Sequence, residues 1–142
     1  MRRTILLSAV CSLVMMFAAS ANAQKDRFAG TFVNEDPNTG GITRLILDEN
    51  DTINVWGRCH PTDCNWGEEA AFAYGSNVAA DLRTAADAMT ATYVMSFATK
   101  ILLITPLNRD RIRVDVFTRF TDRSRRTAFA VSQVLVREGI KP

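Results

Sequence analysis

The chain has a single histidine in 142 residues and three cysteines, one of them, Cys11, inside the first apolar run. It has no long stretch of helical period, no Ser/Pro-rich linker, no repeat and no low-complexity tract. Each absence removes a class of answer. The missing helical period takes helices out of the main architecture. Cys59, His60, Asp63 and Cys64 offer metal-binding atoms, but adjacent Cys-His is an awkward chelate and no second ligand pair exists elsewhere, whereas a structural zinc takes four ligands at familiar spacings. The sequence therefore points to no metal and no cofactor. No strand-turn-helix elbow presents a serine nucleophile, so His60 and Asp63 lack the rest of a triad. Four residues separate the two cysteines, not the two of a thioredoxin-like redox motif. Glu35, Asp36 and Asn38 supply oxygens, but not at EF-hand spacing, and Asp36-Pro-Asn-Thr-Gly-Gly41 is a natural turn.

Charge of one sign is also missing. The formal net charge is +2, and it falls to zero without Arg2 and Arg3. That balance favours neither nucleic acid nor a membrane surface. The distribution is uneven. Residues 24–99 hold five basic and eleven acidic side chains, and residues 100–142 hold ten and four. Pairing between neighbouring strands accounts for this, and a basic recognition face is the sharper alternative. Arg119, Arg123, Arg125 and Arg126 crowd one predicted hairpin without interleaved aromatics, which argues against nucleic acid. They serve an acidic partner or keep an edge soluble.

What is present begins with an export signal. Arg2 and Arg3 precede an apolar run at residues 5–19, short for a membrane span, and Ala21-Asn22-Ala23 fits a cleavage site. We expect a signal peptide at 1–23 and one mature domain at 24–142, periplasmic or secreted, with no stable membrane insertion. A retained anchor is the alternative.

Period-two alternation dominates the remainder. Met89, Ala91, Tyr93, Met95 and Phe97 share one face, and Ile112, Val114 and Val116 oppose Arg113, Asp115 and Arg119. Strands are expected at 30–34, 42–48, 52–58, 70–74, 89–97, 100–105, 111–120 and 127–136. The run Ile101-Leu-Leu-Ile104 reads as buried on both faces. Residues 78–88 are alanine-rich and read as a short helix or a long loop. Turn formers separate the strands at Asp48-Glu-Asn-Asp51, Asn108-Arg-Asp110 and Asp122-Arg-Ser124. Short links imply antiparallel hairpins. Eight strands in one domain make a sandwich or a barrel. Closure removes exposed edges, so we expect an all-β, antiparallel up-and-down barrel of about eight strands.

The segment Trp56-Gly-Arg-Cys-His-Pro-Thr-Asp-Cys-Asn-Trp-Gly67 gathers both tryptophans, the histidine and both remaining cysteines. In an exported chain, Cys59 and Cys64 most simply form a disulfide. Trp56 and Trp66 either pack the barrel end or serve as platforms for a sugar ring, a base or a cation. Arg58 offers a fork for a carboxylate or phosphate, or pairs with an acid such as Glu68 or Glu69.

Phe28-Ala-Gly-Thr-Phe-Val-Asn34 resembles the opening strand of the calycin superfamily, which includes lipocalins and avidins. Phe32 stands where that family carries a tryptophan. The resemblance implies a calycin-like barrel with a basic residue of the last strand, here Arg137, against that aromatic. Asp36-Pro-Asn-Thr39, Gly41-Ile-Thr-Arg44 and the Trp56–Gly67 segment are together similar to a group of small exported bacterial domains. That likeness implies export and a β-rich domain and carries no catalytic residue.

The function these residues suggest is a non-enzymatic binding module. Trp56, Arg58, His60, Asp63 and Trp66 would present a stapled loop to a small molecule or glycan. The alternatives are a protein-interaction or inhibitor role against an envelope protein, and a hydrolase or metal enzyme built on His60 and Asp63.

Overall fold

The structure is a computed structural model that describes residues 27–82 and 86–140. The expected signal peptide lies outside the described residues. Eight strands follow in order: β1 (Gly30–Asn34), β2 (Ile42–Leu47), β3 (Thr52–Gly57), β4 (Cys64–Tyr74), β5 (Ala88–Val94), β6 (Ala98–Pro106), β7 (Arg111–Phe120) and β8 (Phe129–Arg137). Each pairs antiparallel with the next, and β1 pairs with β8, so the sheet closes into an up-and-down barrel.

The turns work through the residues that marked them. The Asp48 carboxylate accepts the N–H groups of Asn50 and Thr52 at 2.8 Å each, which ties the β2–β3 hairpin. Asn108 and Asp122 accept the N–H two residues on, at 2.9 and 3.1 Å, in the β6–β7 and β7–β8 turns. Two ion pairs, Arg111–Glu35 and Arg44–Glu138, join the acidic half of the chain to the basic half across the wall.

Inward side chains of every strand form one core. Phe32, Ile42, Leu45, Ile53, Val55, Ala91, Tyr93, Leu102, Ile104, Ile112, Val114 and Leu135 are essentially inaccessible. Burial of such side chains is worth roughly 1.5–3 kcal/mol each and drives the closure. One end is plugged. Residues 27–29 run beneath the barrel, Phe28 is buried, and Arg137 stacks on Phe32 with its guanidinium carbon 4.7 Å from the ring centroid. Its N–H groups donate to the carbonyls of Ala29, Arg27 and Arg109.

Two expectations need correction. Ile101-Leu-Leu-Ile104 is not buried on both faces: Leu102 and Ile104 are interior, while Ile101 is 47 % exposed on the outer wall. A one-layer barrel has only one dry side. β4 begins at Cys64 rather than Ala70, inside the knot. Of the two readings of 78–88 the loop holds: residues 78–82 and 86–87 run as turns and irregular chain, and Ala88 opens β5.

Candidate functional site

At the end opposite the plug, the barrel opens. The cavity there measures about 670 Å³. Its walls are Trp66, Met95, Phe97, Val116, Phe129 and Val131, with Lys100, Thr118 and Gln133 as inward polar groups. The register explains the set. Tyr93, Lys100, Thr118 and Phe129 lie side by side across four strands at one level of the barrel. Phe129 and Val131 face inward yet stay 47 % and 38 % exposed, because the barrel is not filled at this height.

The knot builds one rim. Cys59 and Cys64 are joined by a disulfide, with their Cα atoms 5.5 Å apart. The bond uses both thiols that a metal site would have needed. The ring thus closed sits between β3 and β4, where Gly57 pairs with Cys64. Arg58 then ties this rim to the β1–β2 loop. Its backbone N–H donates to the Gly41 carbonyl at 2.8 Å, and its guanidinium donates to the carbonyls of Pro37 and Thr39. The acid that meets Arg58 is Asp63, at 3.3 Å, not Glu68 or Glu69.

A bulge aims Trp66. Asn54 pairs with Glu68 but Trp56 pairs with Asn65, so β4 carries one extra residue. Gly67 sits in this bulge at φ 95°, a conformation that favours glycine. The inward positions of β4 consequently switch from Cys64 and Trp66 to Ala71 and Ala73. Trp66 packs edge-on to Tyr93 with ring centroids 5.6 Å apart, and its indole lies against Gly57, where any side chain would collide with it. The Tyr93 hydroxyl donates to the Ile53 carbonyl at 3.0 Å and reaches the Gly67 carbonyl at 3.4 Å. Burial, with Glu69 and Glu68 nearby, pushes its pKa well above the ordinary value.

Lys100 is the electrostatic centre of the cavity. Its ammonium lies 4.7 Å from the Trp66 ring centroid and 3.4 Å from the Thr118 hydroxyl. No carboxylate among the described residues pairs with it. Desolvation by burial lowers its pKa from the usual 10.5. Gln133 holds the facing wall. Its Oε1 accepts from the Ile42 N–H at 2.9 Å and the Asn34 amide at 2.8 Å, which leaves its Nε2 donating to no described residue.

The five residues expected to bind are thus divided. Trp66 and Arg58 line the cavity, as do Cys59 and Cys64. Trp56 pairs with Arg44 on the outer wall, with the guanidinium 5.4 Å from its ring centroid. His60 sits exposed at the loop tip after β3, and the Asp63 carboxylate is turned to Arg58 rather than to it. Sequence reasoning passed over Lys100, Thr118, Gln133 and Phe129. The signal for Lys100 was available: it falls in phase with Ala98, Leu102 and Ile104, three interior residues of its strand. Among known proteins, no family model, no curated protein and no solved structure matches this chain.

Proposed function

We propose that this protein is an exported, non-enzymatic binding module whose ligand is a small anion with an apolar body, held in the mouth of the barrel. The observation that carries the reading is Lys100, an inward ammonium with no carboxylate partner among the described residues, inside a cavity walled mainly by apolar side chains. Half-burying a cation without a counter-charge costs stability, and groups kept at such a cost cluster at functional sites. An anionic head beside Lys100 and Thr118 would restore the lost solvation through charge-assisted hydrogen bonds. The apolar body would cover Phe129 and Val131 and lie against Trp66. The cavity volume falls within the range that holds a drug-sized molecule. The disulfide and the Arg58 clamp fix this rim before binding and so reduce the ordering cost. Export fits the disulfide, which persists in oxidising compartments.

The test uses the anionic fluorophore anilinonaphthalene sulfonate and a neutral anilinonaphthalene as probes. Lys100→Met should weaken the anion by about tenfold or more, the value of one charge-assisted hydrogen bond, and leave the neutral probe nearly unchanged. Equal affinity of native protein and variant for the anion would sink the reading.

A further inference from the structure

The seam that closes the barrel is short. β1 meets β8 at only three positions, Phe32↔Arg137, Val33↔Val136 and Asn34↔Leu135. The Glu35 N–H adds one bond to the Val134 carbonyl at 3.0 Å. β7, in contrast, follows β8 from Val136 to Phe129. The first residues of β8 therefore have a strand on one side only. Val134 turns its carbonyl toward the β1 side, and an antiparallel ladder repeats every second residue, so Ala130 and Ser132 turn their N–H and C=O groups the same way. No described strand pairs with them there.

The flanks of this edge define an occupant. Ala130 and Ser132 carry small side chains on the outer wall, and all of residues 129–132 are exposed. Phe129 and Val131 present apolar surface on the inner side. The hairpin that leads into β8 holds Arg123 and Arg125, and Arg119 stands just before it on β7. None of these three forms an ion pair among the described residues. Arg126 is engaged by Asp122 and by the Phe120 ring. A second copy of the chain, docked edge to edge, would present residues 129–136 of its own β8, a segment without a carboxylate to meet these arginines. An acidic strand would be attracted.

We propose that the free edge of β8 at Ala130 and Ser132 accepts an extended acidic peptide segment of a partner protein by strand addition. Main-chain hydrogen bonds to these two residues supply the anchor. Apolar side chains of the peptide cover Phe129 and Val131, and its carboxylates meet the hairpin arginines. The inference uses the backbone edge and does not rest on Lys100.

The test is a titration of the full mature, disulfide-bonded protein with a peptide of alternating valine and glutamate, blocked at both ends. Amide hydrogen exchange is the readout. Saturating peptide should slow exchange at Ala130 and Ser132 by about tenfold or more, and leave Val131, already facing β7, unaffected. A valine–lysine peptide of the same pattern should bind at least about tenfold more weakly, as should a valine–glutamate peptide N-methylated at alternate residues. Ala130→Pro removes an N–H that faces the gap and no bond to β7, so the fold should survive while peptide binding is lost. No slowing at Ala130 and Ser132 up to the solubility limit of the peptide would overturn the proposal, as would equal binding of the lysine or N-methylated peptide. So would protection of both amides in the free protein accompanied by dimerisation. Protection of the edge by peptide, together with anion-probe binding that ignores Lys100→Met, would leave this inference standing and end the cavity reading.

Discussion

The two ends of the barrel each place a cation over an aromatic ring, and the ring-to-cation distance is 4.7 Å in both. At the plugged end, Arg137 covers Phe32 and spends its N–H groups on three backbone carbonyls. At the open end, Lys100 covers Trp66 and has one hydroxyl within reach. The guanidinium is planar, weakly hydrated and able to serve several acceptors at once. The ammonium is a compact, strongly hydrated charge, and here its water is partly stripped, with the Thr118 hydroxyl as its hydrogen-bond partner among the described residues. The same motif thus closes the fold at one end and, at the other, leaves a half-buried ammonium with no carboxylate partner among the described residues. What each cation bonds to, not its presence over a ring, separates the two ends.

Neutralising each cation should break the symmetry in opposite directions. Arg137→Met retains contact with Phe32 but strands the carbonyls of Ala29 and Arg109. We expect a loss of about 3 kcal/mol in unfolding free energy by urea denaturation, since hydrogen bonds from a charged donor are worth about 1.5–3 kcal/mol each. Lys100→Met removes a half-buried charge that has no counter-ion among the described residues. Its stability should stay within about 1 kcal/mol of the native protein or rise. A destabilised Lys100→Met beside an unaffected Arg137→Met would reverse the assignment of the two ends.

Removing the disulfide sharpens the same contrast. The ring is small, and the chain-entropy model gives about 2 kcal/mol for it. The Cys59→Ser, Cys64→Ser double variant should lose roughly that amount. Its loss should also be local. Amides of β3 and β4 near the knot should exchange faster, while those around Phe32 and Arg137 at the other end keep their protection. Uniform loss at both ends would mean that the knot supports the whole wall rather than one rim.

Much of this was legible in the sequence, and the remainder failed for definite reasons. Alternation placed Met89, Ala91 and Tyr93, and Ile112, Val114 and Val116, on the interior. Asp48, Asn108 and Asp122 marked turns because their side chains bond their own backbone. The bulge was not legible. One extra residue at Gly67 reverses which side of β4 faces inward, and that reversal puts Trp66 in the cavity while Trp56 stays outside. Ile101 misled because an apolar run carries no information about which wall is dry. Lys100 was not legible because a lysine ordinarily faces water, although its parity with Leu102 was plain.

Acidity offers a smaller effect that acts on one end only. Burial holds the folded pKa of Lys100 below the usual 10.5. Between the folded and the unfolded values, the unfolded chain binds more protons at this residue. The burial penalty is therefore fully felt below the folded value and relieved as pH climbs toward 10.5, so this lysine's contribution to stability rises through that window. Anion affinity should fall over the same range, as the ammonium loses its proton. The charges nearest the rim, Arg58 and Asp63, are paired to each other. Titrating the sulfonate probe upward in pH should show the decline begin below the ordinary lysine range, and Lys100→Met should abolish it. A decline that survives in the variant belongs to another group.

The smallest effect is expected at the residue that looked most chemical. His60 is the only histidine and stands in the same loop as Asp63, which invites a base and its orienting acid. The Asp63 carboxylate instead meets Arg58, and Arg58 is tied to the carbonyls of Pro37 and Thr39. Asp63 is therefore not the partner that would fix the His60 tautomer, and His60 does not line the cavity. His60→Ala should change stability by less than about 0.5 kcal/mol, as at ordinary surface positions, and leave sulfonate-probe affinity unaltered. Asp63→Asn, in contrast, should loosen the Arg58 clamp and weaken the probe modestly. If His60→Ala instead had the larger effect on probe binding, the ligand would have to reach over the rim to the loop tip, and the boundary of the site would move from the cavity wall to the outside of the knot.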